Sequence, residues 1–347
     1  MTTGTGIDAQ LGYRLETTVG TEVTPNKFLE FNSEGLDFDP TWLEPTGIRT
    51  GQKFKNNTRL AQSLKKVAGP IDVPYAFRTM GGLWKAAIGS SVTTPTLVGP
   101  AAAYKQVHQS GDLLGKSLTV QVGRPEAHGS QAIRPHTIRG AKVTDWEFSC
   151  SDSAGAKLVL GLDGWDETTA TALAAASFVS DSTNGEFNFT HCSAFSLGGT
   201  IGGTTELTYT GGTAVATIVK GITIKGDNAL DVERYGLGNA GLKKEQLEGG
   251  VPVITITLDA EYNQAEFYTP FKAGTATSLL CRFEASTIET TYKNTIEFIV
   301  PVARIKKVTP QVSGPEVVKA QVELEVYANA TNNPFQVLLI SQDSVAI

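Results

Sequence analysis

The sequence predicts a mainly β protein, built as two tandem β-sandwich-like domains that are each flanked by a short α-helix. Three observations carry this: apolar and polar residues alternate strictly in several segments, helical period is confined to a few short ones, and the order of elements in the first half returns in the second.

Alternation is cleanest near the C-terminal end. There Val318, Ala320, Val322, Leu324 and Val326 interleave with Lys319, Gln321, Glu323, Glu325 and Tyr327, and a period of two sends one set to a core and the other to solvent. The same period separates Trp146, Phe148 and Cys150 from Asp145, Glu147 and Ser149, and Ile254, Ile256 and Leu258 from Thr255, Thr257 and Asp259. Leu158, Leu160 and Leu162 extend the set. Helical spacing joins Phe77, Met80, Leu83, Trp84, Ala87 and Ile88, behind Pro74 and stopped by Gly89, which predicts one amphipathic helix. A shorter helix is predicted over 263–274, through Phe267 and Phe271, with Pro270 near its end. Asp166 is placed to cap an alanine-rich turn or two through Ala176.

The repeat is weak but ordered. Ser33-Glu34-Gly35-Leu36-Asp37-Phe38-Asp39 resembles Asp227-Asn228-Ala229-Leu230-Asp231-Val232-Glu233, and each leads into a long connection with glycines and lysines, 40–66 and 234–250. A short strand (71–73 or 253–258) and a helix ending at glycine follow. Strands at 141–150 and 156–162 then answer those at 296–305 and 317–326. This order divides the chain into a first domain with an N-terminal arm at 1–165, a small-residue linker at 166–185 and a second domain at 186–347.

A chain of 347 residues exceeds the size at which one core usually keeps growing, which agrees with two domains. With 40% hydrophobic residues, 18% charged residues and 36 glycines it reads as globular and rich in turns. Its 35 acids and 29 bases give a net charge of -6, so it lacks the basic footprint of a tight nucleic-acid binder. The N-terminus shows no signal-peptide pattern and no stretch approaches a membrane span, so a soluble protein made in a cytoplasm is expected, with no membrane partner. Cys150, Cys192 and Cys281 are odd in number and far apart, which predicts reduced, buried thiols in place of a disulfide framework or metal site.

Motifs that could carry chemistry lack their context. Gly236-Leu237-Gly238-Asn239-Ala240-Gly241 has the spacing of a dinucleotide loop, yet no clear strand enters it and no amphipathic helix leaves it. His191 beside Cys192 is the only adjacent pair of soft ligands, and His108, His128 and His136 lie far upstream without zinc-like spacing. Asp163, Asp166 and Glu167 read as turn and cap residues in preference to a catalytic carboxylate pair. No catalytic residue, metal ligand or cofactor is predicted. The Asn-x-Thr sequons at Asn56, Asn188 and Asn329 carry no weight without a secretion signal.

The most informative charge pattern lies at 49–66, where Arg49, Lys53, Lys55, Arg59, Lys65 and Lys66 occur without any Asp or Glu. Without those six, 23 bases face 35 acids, so the rest of the chain offers a complementary surface on another copy. Self-association is the natural reading. The expected contact set is Trp42, Arg49, Lys53, Phe54, Lys55, Arg59, Lys65 and Lys66 on the first connection, with Tyr235, Leu237, Leu242, Lys243 and Lys244 on the second.

Near the N-terminus Gly6-Ile7-Asp8-Ala9-Gln10-Leu11-Gly12, Glu16-Thr17-Thr18-Val19-Gly20-Thr21 and Phe28-Leu29-Glu30-Phe31 resemble the opening of siphophage tail tube (major tail) proteins. Gly69-Pro70-Ile71-Asp72-Val73, residues 262–274 and residues 279–283 also look like that family's later blocks. The resemblance implies a structural virion subunit without enzymatic activity. Its sheets would join those of its neighbours into a closed β-barrel around a lumen, with the helix outside. Family members ordinarily contribute one such domain to hexameric rings; this chain reads as departing from that pattern by carrying the domain twice, which implies three chains per ring with pseudo-sixfold symmetry. Partners implied are further copies of the chain, a tape-measure protein and tail-end proteins, with DNA passing through the lumen without tight binding. Lumen-facing candidates are the acidic sets Asp37 with Asp39, Asp145 with Glu147, Asp231 with Glu233, and Glu323 with Glu325. Rival readings are another β-rich virion part (tail terminator, decoration or head-tail joining protein) and a carbohydrate-binding sandwich using Trp42, Trp165, Tyr209 and Tyr235.

Overall fold

The computed structural model describes residues 4–91, 95–128, 132–312 and 314–344. The first half runs through β1 (Gln10–Leu15), β2 (Lys27–Leu29), β3 (Val67–Pro74), α1 (Gly81–Ile88), β4 (Tyr104–Ser110), β5 (Leu118–Pro125), β6 (Ile133–Ser151) and β7 (Ala154–Gly164). The second half runs through β8 (Cys192–Leu197), β9 (Val219–Asp227), β10 (Val253–Glu261), α2 (Thr269–Ala273), β11 (Ala276–Glu289), β12 (Tyr292–Gln311), β13 (Lys319–Val326) and β14 (Gln336–Ser341).

Two strands organise everything else. β6 pairs with β5 through 133–141, takes up β7 from Lys142, and past a bulge between Val143 and Asp145 pairs with both β7 and β9. β12 behaves alike: it pairs with β11 up to Arg304, takes up β13 from Ala303, and keeps it past a bulge between Ile305 and Lys307. An extra residue bends a strand and increases its twist, which lets one long strand serve two sheets. The main sheet is therefore continuous and antiparallel: the segment 33–38, then β3, β7, the C-terminal part of β6, β9, β10, β13 and the C-terminal part of β12. A second sheet runs β8, β11, the N-terminal part of β12, β14 and β4. A third holds β2, β1, β5 and the N-terminal part of β6.

The alternations read from sequence are the inner and outer faces of the main sheet. Phe148 meets Phe298 and Phe283 of the second sheet at ring-centroid distances of 4.8 and 5.8 Å, and Trp146 meets Phe335 at 5.4 Å. Buried apolar residues of both halves form one large cluster. α1 is enclosed within it: all its residues except Lys85 are buried, and Trp84 contacts Trp146 at 5.2 Å while its indole N–H donates to Tyr75 Oη at 2.6 Å. A buried indole satisfied in this way loses no hydrogen bond on leaving water.

Several local expectations shift. α1 begins at Gly81, because Thr79 at φ 70° breaks helical geometry, and Phe77 lies before it, against Phe187. The second helix is a π turn, Gln264–Tyr268, followed by α2 with Gly274 at φ 62° as its left-handed end. No helix forms at 169–176; Asp166–Thr168 is a short strand against β6, and Gln121 and Gln10 bind the backbone of Ala172 and Ala174. Tertiary hydrogen bonds outweigh the modest helix propensity of the alanines there. The repeat also changes register. Ser33 and Gly221 occupy equivalent ladder positions, opposite Asp72 and Asp259, so 33–38 corresponds to 221–226 and not to 227–233.

The N-terminal block finds a physical reason. Glu16 is buried and accepts hydrogen bonds from Ser117 Oγ, Thr119 Oγ1, Gly140 N and Gly20 N at 2.6 to 2.9 Å. At Gly12 a side chain would meet the Phe28 ring within 2.9 Å. Both hold the strands of the third sheet together, and Tyr13 Oη ties that sheet to the turn before α1 by donating to Thr79 O.

Candidate assembly surfaces

Three surfaces stand out: the polar face of the main sheet, the arm made by the two long connections, and the sheet's open edges.

The polar face carries the residues that alternate with the core. Asp37, Asp39, Asp145, Glu147, Glu323 and Glu325 all fall on it, joined by Asp72, Asp227 and Asp259. The cations sharing it are fewer, chiefly Lys157, Lys225, Lys307 and Lys319, so the face is net acidic. A broad depression of about 660 Å³ opens on it among Asp152, Lys220, Asp259, Glu261, Lys307 and Lys319. Asp231 and Glu233 are elsewhere. Asp231 lies in a small two-stranded ladder with Leu247, and Glu233 faces Lys66 at 3.7 Å. Sequence pattern offered them as the acidic members of an alternating strand, but 227–233 does not continue the main sheet.

The arm unites segments that are far apart in sequence. Residues 40–66 fold back as a small ladder, Trp42–Leu43 against Ala61–Gln62, and 235–243 form a tight hairpin closed by a bridge between Tyr235 and Lys243. The two touch: Lys65 N donates to Gly241 O at 2.9 Å, and Tyr235 Oη donates to Lys65 O at 2.8 Å. The Gly-rich motif is thus the tip of a hairpin and has no strand-turn-helix context. Beyond that contact the arm presents apolar tips: Phe54 is 85% exposed, Ile48 and Leu237 fully so, and Trp42 about half. Large exposed apolar residues grouped on one projection mark an interaction surface. Among the cations, Arg49, Lys53 and Arg59 are exposed, Lys55 pairs with Glu44, and Lys65 reaches Asp166 at 3.1 Å. Leu242 is half-buried and Lys244 exposed.

Lys243 departs from its expected role. It is fully buried, 2.5 Å from Asp163, whose other oxygen accepts from Gln246 at 2.8 Å. Burial raises the Asp163 carboxyl, opposed by Lys243 and Gln246. Nearby Lys142 is as buried, bonded to Glu245 at 2.7 Å and to the carbonyls of Leu113 and Gln246; burial lowers its ammonium. These two lysines root the arm in the core. Sequence missed the burial of Lys243 because a lysine in a glycine-rich loop reads as solvated, and that of Lys142 because a charged residue on a strand reads as facing water.

The sheet's edges are open on both sides. No strand pairs with 305–311 of β12 on the side away from β13, nor with 33–38 on the side away from β3, among the described residues.

Other motifs resolve into packing. His191 caps a short 3-10 turn by accepting from Asn188 N and packs on Phe77 and Phe187. Asp166 and Glu167 bind Lys65 and His136. The three cysteines converge on one cleft of about 330 Å³; Cys150 and Cys281 are buried and Cys192 is exposed. Among the described residues no group of three or more His, Cys, Asp or Glu is placed to hold a metal, and no helix is long and apolar enough to cross a membrane.

Comparison with models of known protein families matches residues 6–326 to one described as a phage tail tube protein. No curated protein matches the chain.

Proposed function

Because this chain belongs to the phage tail tube protein family, and is therefore a structural component of the virion tail, we propose that it builds a siphophage-type tube: copies join edge to edge into rings, and rings stack into the conduit for DNA ejection. The observation that carries this reading is the main sheet, open at both edges and net acidic on its free face. An isolated protein with two unpaired edges is a template for pairing, and closure into a ring removes both.

Each chain supplies the four-position strand unit twice, as 33–38, β3, β7, β6 and again as β9, β10, β13, β12. The segments 1–165 and 186–347, with 166–185 between them, then act as two successive wall units, and three chains close a ring of pseudo-sixfold symmetry. The acidic face lines the lumen, where it repels phosphates and lets DNA slide. The arm reaches the next ring with its exposed apolar tips and the cations Arg49, Lys53 and Arg59, while Lys243 holds its base. Assembly takes place in the host cytoplasm, with tape-measure and tail-end proteins as further partners.

Negative-stain microscopy of concentrated protein tests the reading: long hollow cylinders with threefold ring averages are expected. A tail terminator, decoration or joining protein gives isolated rings or monomers, and a ring mass of six chains refutes the trimer. Substituting the lumen set (Asp145, Glu147, Glu323 and Glu325) by lysine should leave tubes intact yet slow DNA ejection, most strongly at low salt.

A further inference from the structure

Resting on the tube reading, we infer that ring closure is one specific strand pairing: the β12 edge of one copy at 307–311 lies antiparallel to the 35–39 edge of the next, in the register that β6 and β9 hold inside the chain.

The chain already contains the joint. β6 and β9 belong to different halves and pair along 145–151 and 221–227. Their equivalents are the two open edges. On one side Val143 opposes Leu162 before the bulge and Asp145 opposes Gly161 after it, just as Ile305 opposes Leu324 and Lys307 opposes Glu323. Lys307, Val308 and Thr309 therefore stand where Asp145, Trp146 and Glu147 stand. On the other side Asp37 and Phe38 oppose Ala68 and Val67 as Lys225 and Gly226 oppose Thr255 and Ile254. Carrying the internal pairs Trp146 with Gly226, Glu147 with Lys225 and Asp145 with Asp227 across this equivalence sets Val308 against Phe38, Thr309 against Asp37 and Lys307 against Asp39.

The side chains suit that register in three independent ways. At the core-facing pair the large residue changes strand: Trp146 with Gly226 becomes Val308 with Phe38, and a β-branched residue now faces the ring. At the neighbouring pair two like charges become opposite ones, and neither Lys307 nor Asp39 has an ion-pair partner among the described residues. Opposite charges directly across strands attract and like charges repel. Third, Pro310 falls against Leu36. Proline has no N–H to give, and Leu36 needs none, since its carbonyl already accepts from Arg124 and its N–H donates to Glu34 Oε2 at 3.1 Å. A shift of two residues keeps the faces: one way it sets Lys307 against Thr41 and Val308 against Pro40, losing the matches, and the other way it keeps an acid, Asp37, opposite Lys307 but moves Pro310 from Leu36 to Glu34.

The test uses tubes of the full chain carrying Cys192→Ser, with Asp37→Cys and Thr309→Cys added. Thr309 and Asp37 are a directly opposed pair with side chains on the accessible face, within disulfide reach only across the joint. Mild oxidation should convert most chains to covalent oligomers that end at the ring mass, while the shifted pair Asp37→Cys with Gln311→Cys should cross-link at least tenfold less. Equal yields, or none in well-formed tubes, overturn the pairing and leave the tube reading standing; absence of tubes from the unsubstituted chain overturns both. Should the cysteine chain fail to assemble, charge exchange decides: Lys307→Asp alone should block tubes and adding Asp39→Lys should restore them. A double variant no better than the single one refutes the register.

Discussion

The two halves share a strand plan and differ in what they do with their helix. α1 is enclosed between sheets, with Leu83 and Trp84 wholly buried, whereas α2 contributes no buried residue: Phe267 of the preceding π turn is buried, and Tyr268 and Phe271 pack on the core from its margin. The same topology thus supports a helix as core or as cover. What decides is the company each keeps: α1 has a third sheet, β1 with β2 and β5, on its far side, and Gly82 lets Tyr13 of that sheet approach within 2.9 Å of where a Cβ would stand. Among the described residues no comparable sheet backs α2. A helix becomes interior when a further layer arrives to cover it, whatever its own pattern.

Truncating the two helices should break this symmetry most visibly. Trp84→Ala removes a side chain that touches both halves and should cost about 3–5 kcal/mol, whereas Phe271→Ala on α2 should cost roughly a third of that. Urea unfolding of the monomer measures both, and equal losses would show that the helices are energetically alike. The buried arm roots come next. Lys243→Met leaves Asp163 uncompensated and should cost about 3 kcal/mol, while adding Asp163→Leu should recover most of it; persistence of the loss in the double variant would refute the ion-pair account.

A pH-dependent effect also separates the halves. His108 on β4 is buried with neither ring nitrogen bonded, and burial, with Lys85 nearby, lowers its pKa from 6.5 to about 3. A base depressed in the folded state contributes stability that is complete above its unfolded value and is lost as pH falls from 6.5 towards 3. His108→Gln should flatten the fall of unfolding free energy in that window by about one proton; an unchanged slope would assign acid sensitivity to other groups. The smallest effect on stability is expected from deleting 52–61, which lies on the exposed arm. Calorimetry should find a folded monomer within about 0.5 kcal/mol of the parent, yet polymerisation should fail, and normal tubes would remove the arm from ring stacking.

Sequence disclosed the strands well because half-buried strands write their two faces as a strict alternation, as 318–327 and 145–150 do. It disclosed the strand order of the repeat but not its register. Acidic residues around a leucine recur at 33–39 and 227–233, and a period of two cannot distinguish placements shifted by an even number of residues; ladder partners could, and they select 221–226. Lys142 and Lys243 were illegible for another reason. Their burial depends on Asp163, Glu245 and Gln246 converging from separate strands and loops, and nothing local announces a desolvated lysine. The convergence of the three cysteines was hidden in the same way. The arm's basic stretch was legible, but its contact with the second connection through Lys65 and Tyr235 was not.

The joint between β6 and β9 has a kinetic meaning as well as a geometric one. A strand pair formed within one chain needs no encounter, because the connecting segment holds its members at an effective concentration that separate chains reach only at about millimolar levels. Every such pair made during folding is one that assembly need not wait for. In the proposed ring, a wall drawn from these chains makes half as many joints between chains as one drawn from single units, and its two kinds of joint would be free to diverge, the inner one tuned for folding and the outer one for timing.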